Sequence, residues 1–83
     1  FKMLDLAYYC GKKGGLWNTF YNTANEELVH MFLAKKIKFL DIEYYSYKAL
    51  DIFEKNNNPS ELNMNNINYV DKETVEIIKS LCN

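Results

Sequence analysis

The chain has 83 residues, 48% of them apolar and 16% aromatic, and its ten basic residues nearly balance eleven acidic ones for a net charge of −1. That length allows one domain, residues 1–83, with a small core and marginal stability. The charge balance excludes a nucleic-acid binder that works by neutralising phosphates, no apolar run is long enough to span a bilayer, and no signal-peptide pattern is present.

Four helices are expected, in chain order. The first runs from Phe1 to about Lys13, with Leu4, Ala7 and Tyr8 on one face, and stops at Gly14-Gly15, where glycine takes the left-handed conformation cheaply and the preceding lysines suit the last carbonyls. Leu16 to Tyr21 is apolar and aromatic without clear helical spacing and reads as an irregular segment. Asn22 then reads as an N-cap with Glu26 in the first turn. From Ala24 the residues Leu28, Val29, Phe32 and Leu33 recur at steps of three and four, giving an apolar face that ends at Lys35-Lys36.

Ile37 and Phe39 alternate with lysines as a short extended connector. Asp41 is the candidate cap of a third helix, Ile42 to about Lys55, whose Ile42, Tyr45, Ala49, Ile52 and Phe53 share a face. Asn56 to Ser60 is a loop closed by Pro59, and Ser60 is a candidate cap for one short turn at Glu61-Leu62. Asp71 is expected to cap a last helix, Lys72 to about Leu81, with Val75, Ile78 and Leu81 inward. Short connections between amphipathic helices make antiparallel neighbours, so the expected fold is all-α, a small up-and-down four-helix bundle.

The run Asn22-Thr23-Ala24-Asn25-Glu26, followed by Val29, Phe32-Leu33, Ile37, Phe39 and Asp41-Ile42, carries the most specific signal. With Leu4, Leu6-Ala7 and Gly14 upstream it resembles the C-terminal domain of the 1-deoxy-D-xylulose-5-phosphate reductoisomerase family, without a gap from Leu4 to Ile42. Two departures stand out. Thr23 replaces the usual Ala, and Lys2-Met3 stands where a Pro is typical before the first Leu. The resemblance implies a parent enzyme with an NADPH-binding domain, a central domain holding a divalent metal and substrate, and this helical end. That parent isomerises and reduces 1-deoxy-D-xylulose 5-phosphate to 2-C-methyl-D-erythritol 4-phosphate in non-mevalonate isoprenoid synthesis, in a plastid-type organelle or a bacterial cytoplasm.

No catalytic, cofactor-binding or metal-binding residue carries over to this chain. What carries over is structural: Asn22, Asn25 and Glu26 as a helix-start cluster, and Leu28, Phe32, Leu33, Ile37, Phe39 and Ile42 as core or domain-contact positions. Phe32→Ala is accordingly expected to cost roughly 3–5 kcal/mol. The chain starts at Phe1 without an initiator Met, as expected of a fragment, a processed product or the ordered part of a longer protein.

The residues themselves suggest little chemistry. His30, the single histidine, lies opposite Leu28 and Phe32 and is expected to face solvent or another domain. Glu26 and Glu27 point about 100° apart and suit the helix dipole better than a shared cation. Cys10 sits near a helix C-terminus, where the dipole opposes a thiolate. Its bridging to Cys82 and two reduced thiols are both open, with the thiols favoured in an intracellular chain. Lys35, Lys36 and Lys38 read as a solvated helix end. Trp17, Tyr44 and Tyr47 are the aromatics left over from the helical core and the candidate interface residues, facing a neighbouring catalytic domain or a second subunit. Two functions follow: the non-catalytic buttress of a complete reductoisomerase, or a stand-alone interaction module derived from it without enzymatic activity.

Overall fold

A computed structural model describes residues 2–57 and 64–83 of the chain. It is an all-α four-helix bundle: α1 (Lys2–Lys13), α2 (Leu16–Leu33), α3 (Phe39–Asn56) and, after a short 3-10 turn over Met64–Asn66, α4 (Ile67–Cys82). Helices α2, α3 and α4 pack tightly on one another, and α1 lies across α2 and the near edge of α3. Most of the expected 56–60 loop and the Ser60 turn lie outside the described residues.

Helix α1 ends as its glycines dictate. Gly14 and Gly15 take φ of 66° and 53°, and the Gly14 amide donates to the Cys10 carbonyl at 3.0 Å. Its buried face is not the expected one. Leu4 and Tyr8 are 66% and 67% exposed, whereas Leu6 and Cys10 are buried with Met3 packed beside them. Both sets have helical spacing, and the period alone does not choose between them. Cys10, a small hydrophobe when buried, belongs to the winning set.

The segment from Leu16 to Tyr21 is helical, not irregular, and forms the first part of α2. Leu16, Trp17, Phe20, Ala24 and Leu28 are its buried residues, so the stripe runs unbroken through Asn22. Asn22, Asn25 and Glu26 therefore lie inside the helix and start nothing. Amides in a helix interior already have carbonyl partners four residues back, which leaves no orphan donor to cap. Val29 and Leu33, expected inward, are 36% and 72% exposed, and Phe32 is half-buried.

The α2 terminus is a Schellman turn. The Lys35 amide donates to Phe32 O at 3.0 Å and the Lys36 amide to Met31 O at 2.9 Å, while Lys35 holds φ at 61°. That left-handed position usually goes to glycine, because a Cβ there strains the backbone.

Helix α3 begins three residues before Ile42. Asp41 still caps it, but from inside the first turn: its carboxylate accepts the Lys38 amide at 2.8 Å, and its own amide donates to Lys38 O at 3.0 Å. The expected inner face holds, with Ile42, Ala49 and Phe53 buried and Tyr45 and Ile52 packed against them. Ser46 joins that face because its hydroxyl is satisfied by the Ile42 carbonyl at 2.6 Å.

Helix α4 starts at Ile67, so Asp71 is interior and does not cap it. Ile67 and Val70 carry the apolar period upstream, and Asp71 instead accepts a hydrogen bond from Thr23 Oγ1, tying α4 to α2. Ile78 is fully buried as expected; Val75 and Leu81 are half-buried, and Val70, Thr74 and Ile77 complete the face.

Aromatic rings close the core. Phe20 and Phe53 stack with centroids 4.7 Å apart, and Trp17 meets Phe53 edge-on at 5.4 Å. Trp17 is 4% exposed, so it is a core residue and not a surface for a partner. Its indole N–H donates to Glu54 at 3.0 Å, and the Tyr9 hydroxyl donates to the same carboxylate oxygen at 2.6 Å. Lys13 approaches that oxygen at 3.8 Å. The hydrogen bond to Glu54, with burial and the carboxylate charge, pushes the Tyr9 phenol up to about 12. Burial first, and the Glu54 charge second, push the Cys10 thiol up to about 11. Cys10 and Cys82 are both free thiols, Cys10 buried and Cys82 half-buried.

Three outcomes are expected from this packing. Phe53→Ala should cost about 3–5 kcal/mol in urea unfolding, and half-buried Phe32→Ala clearly less; equal losses would contradict the core described. Lys35→Gly should stabilise the chain by about 0.5–1 kcal/mol through relief of the left-handed strain, read as a higher urea midpoint at unchanged slope. The third concerns alkali. Cys10 and Tyr9 hold their protons more tightly folded than unfolded, where they titrate near 9.0 and 10.0. Their contribution is therefore complete at neutral pH and lost as pH rises through the folded values of about 11 and 12. Stability should fall over that window, and Tyr9→Phe should remove the part of the fall that belongs to the phenol.

Candidate functional site

The outward side of α3 carries a second stripe, Leu40, Tyr44 and Tyr47, in steps of four and three residues and turned away from the Ile42–Ala49–Phe53 face. These side chains are 80%, 56% and 37% exposed. Beside them lies the first turn of α1, held by the Tyr47 hydroxyl, which donates to the Lys2 carbonyl at 2.6 Å. Lys2 also approaches Glu43 at 4.0 Å, but both are exposed and the pair contributes little. Between the two helices runs an open groove of about 700 Å³, with the Leu40, Tyr44 and Tyr47 side chains as its apolar lining and Lys2, Asp5 and Asp51 among its charged margins.

The electrostatics of the groove are set by a few charged neighbours of the two tyrosines. Tyr47 is raised above the ordinary phenol range, first by burial and then by the Asp5 and Glu43 charges, so near neutrality it stays a proton donor. The Lys48 ammonium lies 5.5 Å over the Tyr44 ring, a cation–π contact that orients it. Among the described residues no three His, Cys, Asp or Glu side chains converge as metal ligands. None of the described residues forms a strand, so Gly11, Gly14 and Gly15 do not occupy a strand-to-helix phosphate turn.

The other sequence candidates fall elsewhere. Asn22 and Glu26 are exposed and Asn25 half-buried on the outer side of α2, with Val29, His30 and Leu33 further along the same side. Lys35, Lys36 and Lys38 are exposed at the α2–α3 turn. Tyr44 and Tyr47 are the two candidates that the fold brings together with a groove. Sequence reading missed Leu40 and the α1 half of that groove. The spacing of Leu40, Tyr44 and Tyr47, out of phase with the core face, was the available signal.

Comparison with known proteins agrees with this architecture. Residues 1–77 match the model of the DXP reductoisomerase C-terminal domain. The 1-deoxy-D-xylulose 5-phosphate reductoisomerase of Geobacillus sp. (strain WCH70) is 44% identical over 81 residues, covering 98% of this chain and 20% of that enzyme. The enzyme of the same name from Clostridium beijerinckii is 42% identical over 78 residues, 94% of this chain and 20% of its own length. The chain thus spans about a fifth of the length of the curated relatives it matches. No solved structure matches it. A helical bundle with an unpartnered aromatic groove, matched from its first residue through most of α4, belongs to the DXP reductoisomerase C-terminal domain family.

Proposed function

We propose that this chain, as one domain over residues 1–83, is the non-catalytic helical end of a 1-deoxy-D-xylulose-5-phosphate reductoisomerase and buttresses its catalytic body. The observation that carries the reading is the near-complete match to a fifth of enzymes of that name. The parent takes 1-deoxy-D-xylulose 5-phosphate to 2-C-methyl-D-erythritol 4-phosphate, with NADPH and a divalent metal held by domains other than this one. Tyr44 and Tyr47 are the contact residues toward the rest of the parent chain. The relatives named above are bacterial, which favours a bacterial cytoplasm over a plastid for the parent.

The same exposed aromatics support a second reading, a helical module that binds a partner and has no enzyme attached. The two separate on the complete gene product. Under the first, the full-length protein oxidises NADPH only when 1-deoxy-D-xylulose 5-phosphate is present, and removing residues 1–83 lowers turnover on the order of 10²-fold through misplacement of the catalytic body. A gene product lacking a nucleotide-binding half, or turnover indifferent to the truncation, would overturn it in favour of the second.

A further inference from the structure

We infer that the α1–α3 groove receives the stretch of parent chain lying directly upstream of Phe1. The inference rests on the proposed reading in one respect, that a longer chain precedes this domain. The relatives are about five times the length of the match, and the match is to their C-terminal domain, so the remainder arrives at residue 1. Residue 2 already lines the groove, so a preceding chain joins the bundle beside it.

The groove suits such a segment in size and chemistry. From Leu40 to Asp51 its α3 wall rises about 17 Å, at ~1.5 Å per helical residue. About five extended residues, at ~3.3 Å each, fill that length. Leu40 and the two tyrosine rings offer apolar contact for alternate side chains. Asp51 is already paired with Lys55 at 3.0 Å and Glu43 lies 4.0 Å from Lys2, so the groove offers apolar contact and not a net charge to its occupant.

Lys2 contributes as well. The Tyr47 hydroxyl donates to its carbonyl at 2.6 Å and keeps the first turn of α1 beside the groove. The segment that occupies the groove therefore anchors the end of α1 from which the catalytic body hangs.

The test is photo-crosslinking in the full-length parent with benzoylphenylalanine in place of Tyr44, and at Tyr69 as a control, since Tyr69 is 54% exposed on α4 and outside this groove. Position 44 is expected to label the ten or so residues immediately upstream of Phe1, and position 69 is not. Leu40→Asp with Tyr44→Asp should in turn speed proteolytic cleavage within that upstream stretch several-fold, with the helical circular dichroism unchanged. Labelling at 44 of a remote part of the parent or of a second copy, or no labelling in folded protein, would overturn the inference. NADPH oxidation measured on the same samples reports separately on the proposed function. An inactive parent that still crosslinks upstream would sink the enzyme reading and leave the groove assignment standing.

Discussion

The bundle depends on two neighbouring residues of α3, Phe53 and Glu54. The Phe53 ring stacks on Phe20 and receives the edge of Trp17, which fixes α2 against α3. One residue on, Glu54 accepts from Tyr9 and from Trp17 and draws Lys13 close, which fixes α1 against the pair. A carboxylate beside an aromatic core is costly unless its oxygens are partnered by donors, and here two donors from different helices meet at one oxygen. The arrangement also explains why α1 stays docked although only two of its side chains, Leu6 and Cys10, are buried. The hydrogen bond to Glu54 at Tyr9, and burial first at Cys10, hold both protons in place well above neutrality.

The parts of the fold that were legible in the sequence are those where one apolar stripe had no competitor. On α3 the Ile42–Phe53 face was readable because Ile42, Tyr45, Ala49, Ile52 and Phe53 recur at helical steps while Glu43, Lys48 and Asp51 fall off it. On α1 two stripes had equal claim, and helical period carries no information about which way a helix faces. That choice was made by tertiary contact: Tyr9 can reach Glu54 only when Leu6 and Cys10 point inward. The α2 start was hidden for another reason. Its first buried residues are aromatics mixed with Asn18 and Thr19, and Asn22 looks like a cap because asparagine is costly in a helix interior. Packing of Trp17 and Phe20 outweighed that cost, which amounts to a fraction of a kcal/mol per residue. Asp71 misled in the same way. Its role lies in a bond to Thr23 on another helix, and no local pattern announces such a partner.

That outcome changes what the family-like run Asn22 to Glu26 means for function. As a cap it would be a local folding signal with no further reach. In the middle of α2, with Asn22 and Glu26 exposed and Val29 and Leu33 uncovered beyond them, it is surface. Thr23 in the same run points the other way, toward Asp71, and is part of the α2–α4 seam. One short motif thus serves two sides of a helix. The groove was only half legible, because Tyr44 and Tyr47 stood out as aromatics away from the core face, while the α1 wall is assembled by packing.

The surface left apolar has an energetic consequence. Leu40, Leu33 and Phe39 are each more than two-thirds exposed, and covering a side chain of that size stabilises by about 1.5–3 kcal/mol. For a chain of 83 residues, whose whole stability is of order 5–10 kcal/mol, two or three such contacts rival what the bundle generates by itself. Covering this surface would therefore add stability on the scale of what the bundle generates by itself. The node at Phe53 and Glu54 holds α1, α2 and α3 together without that contribution.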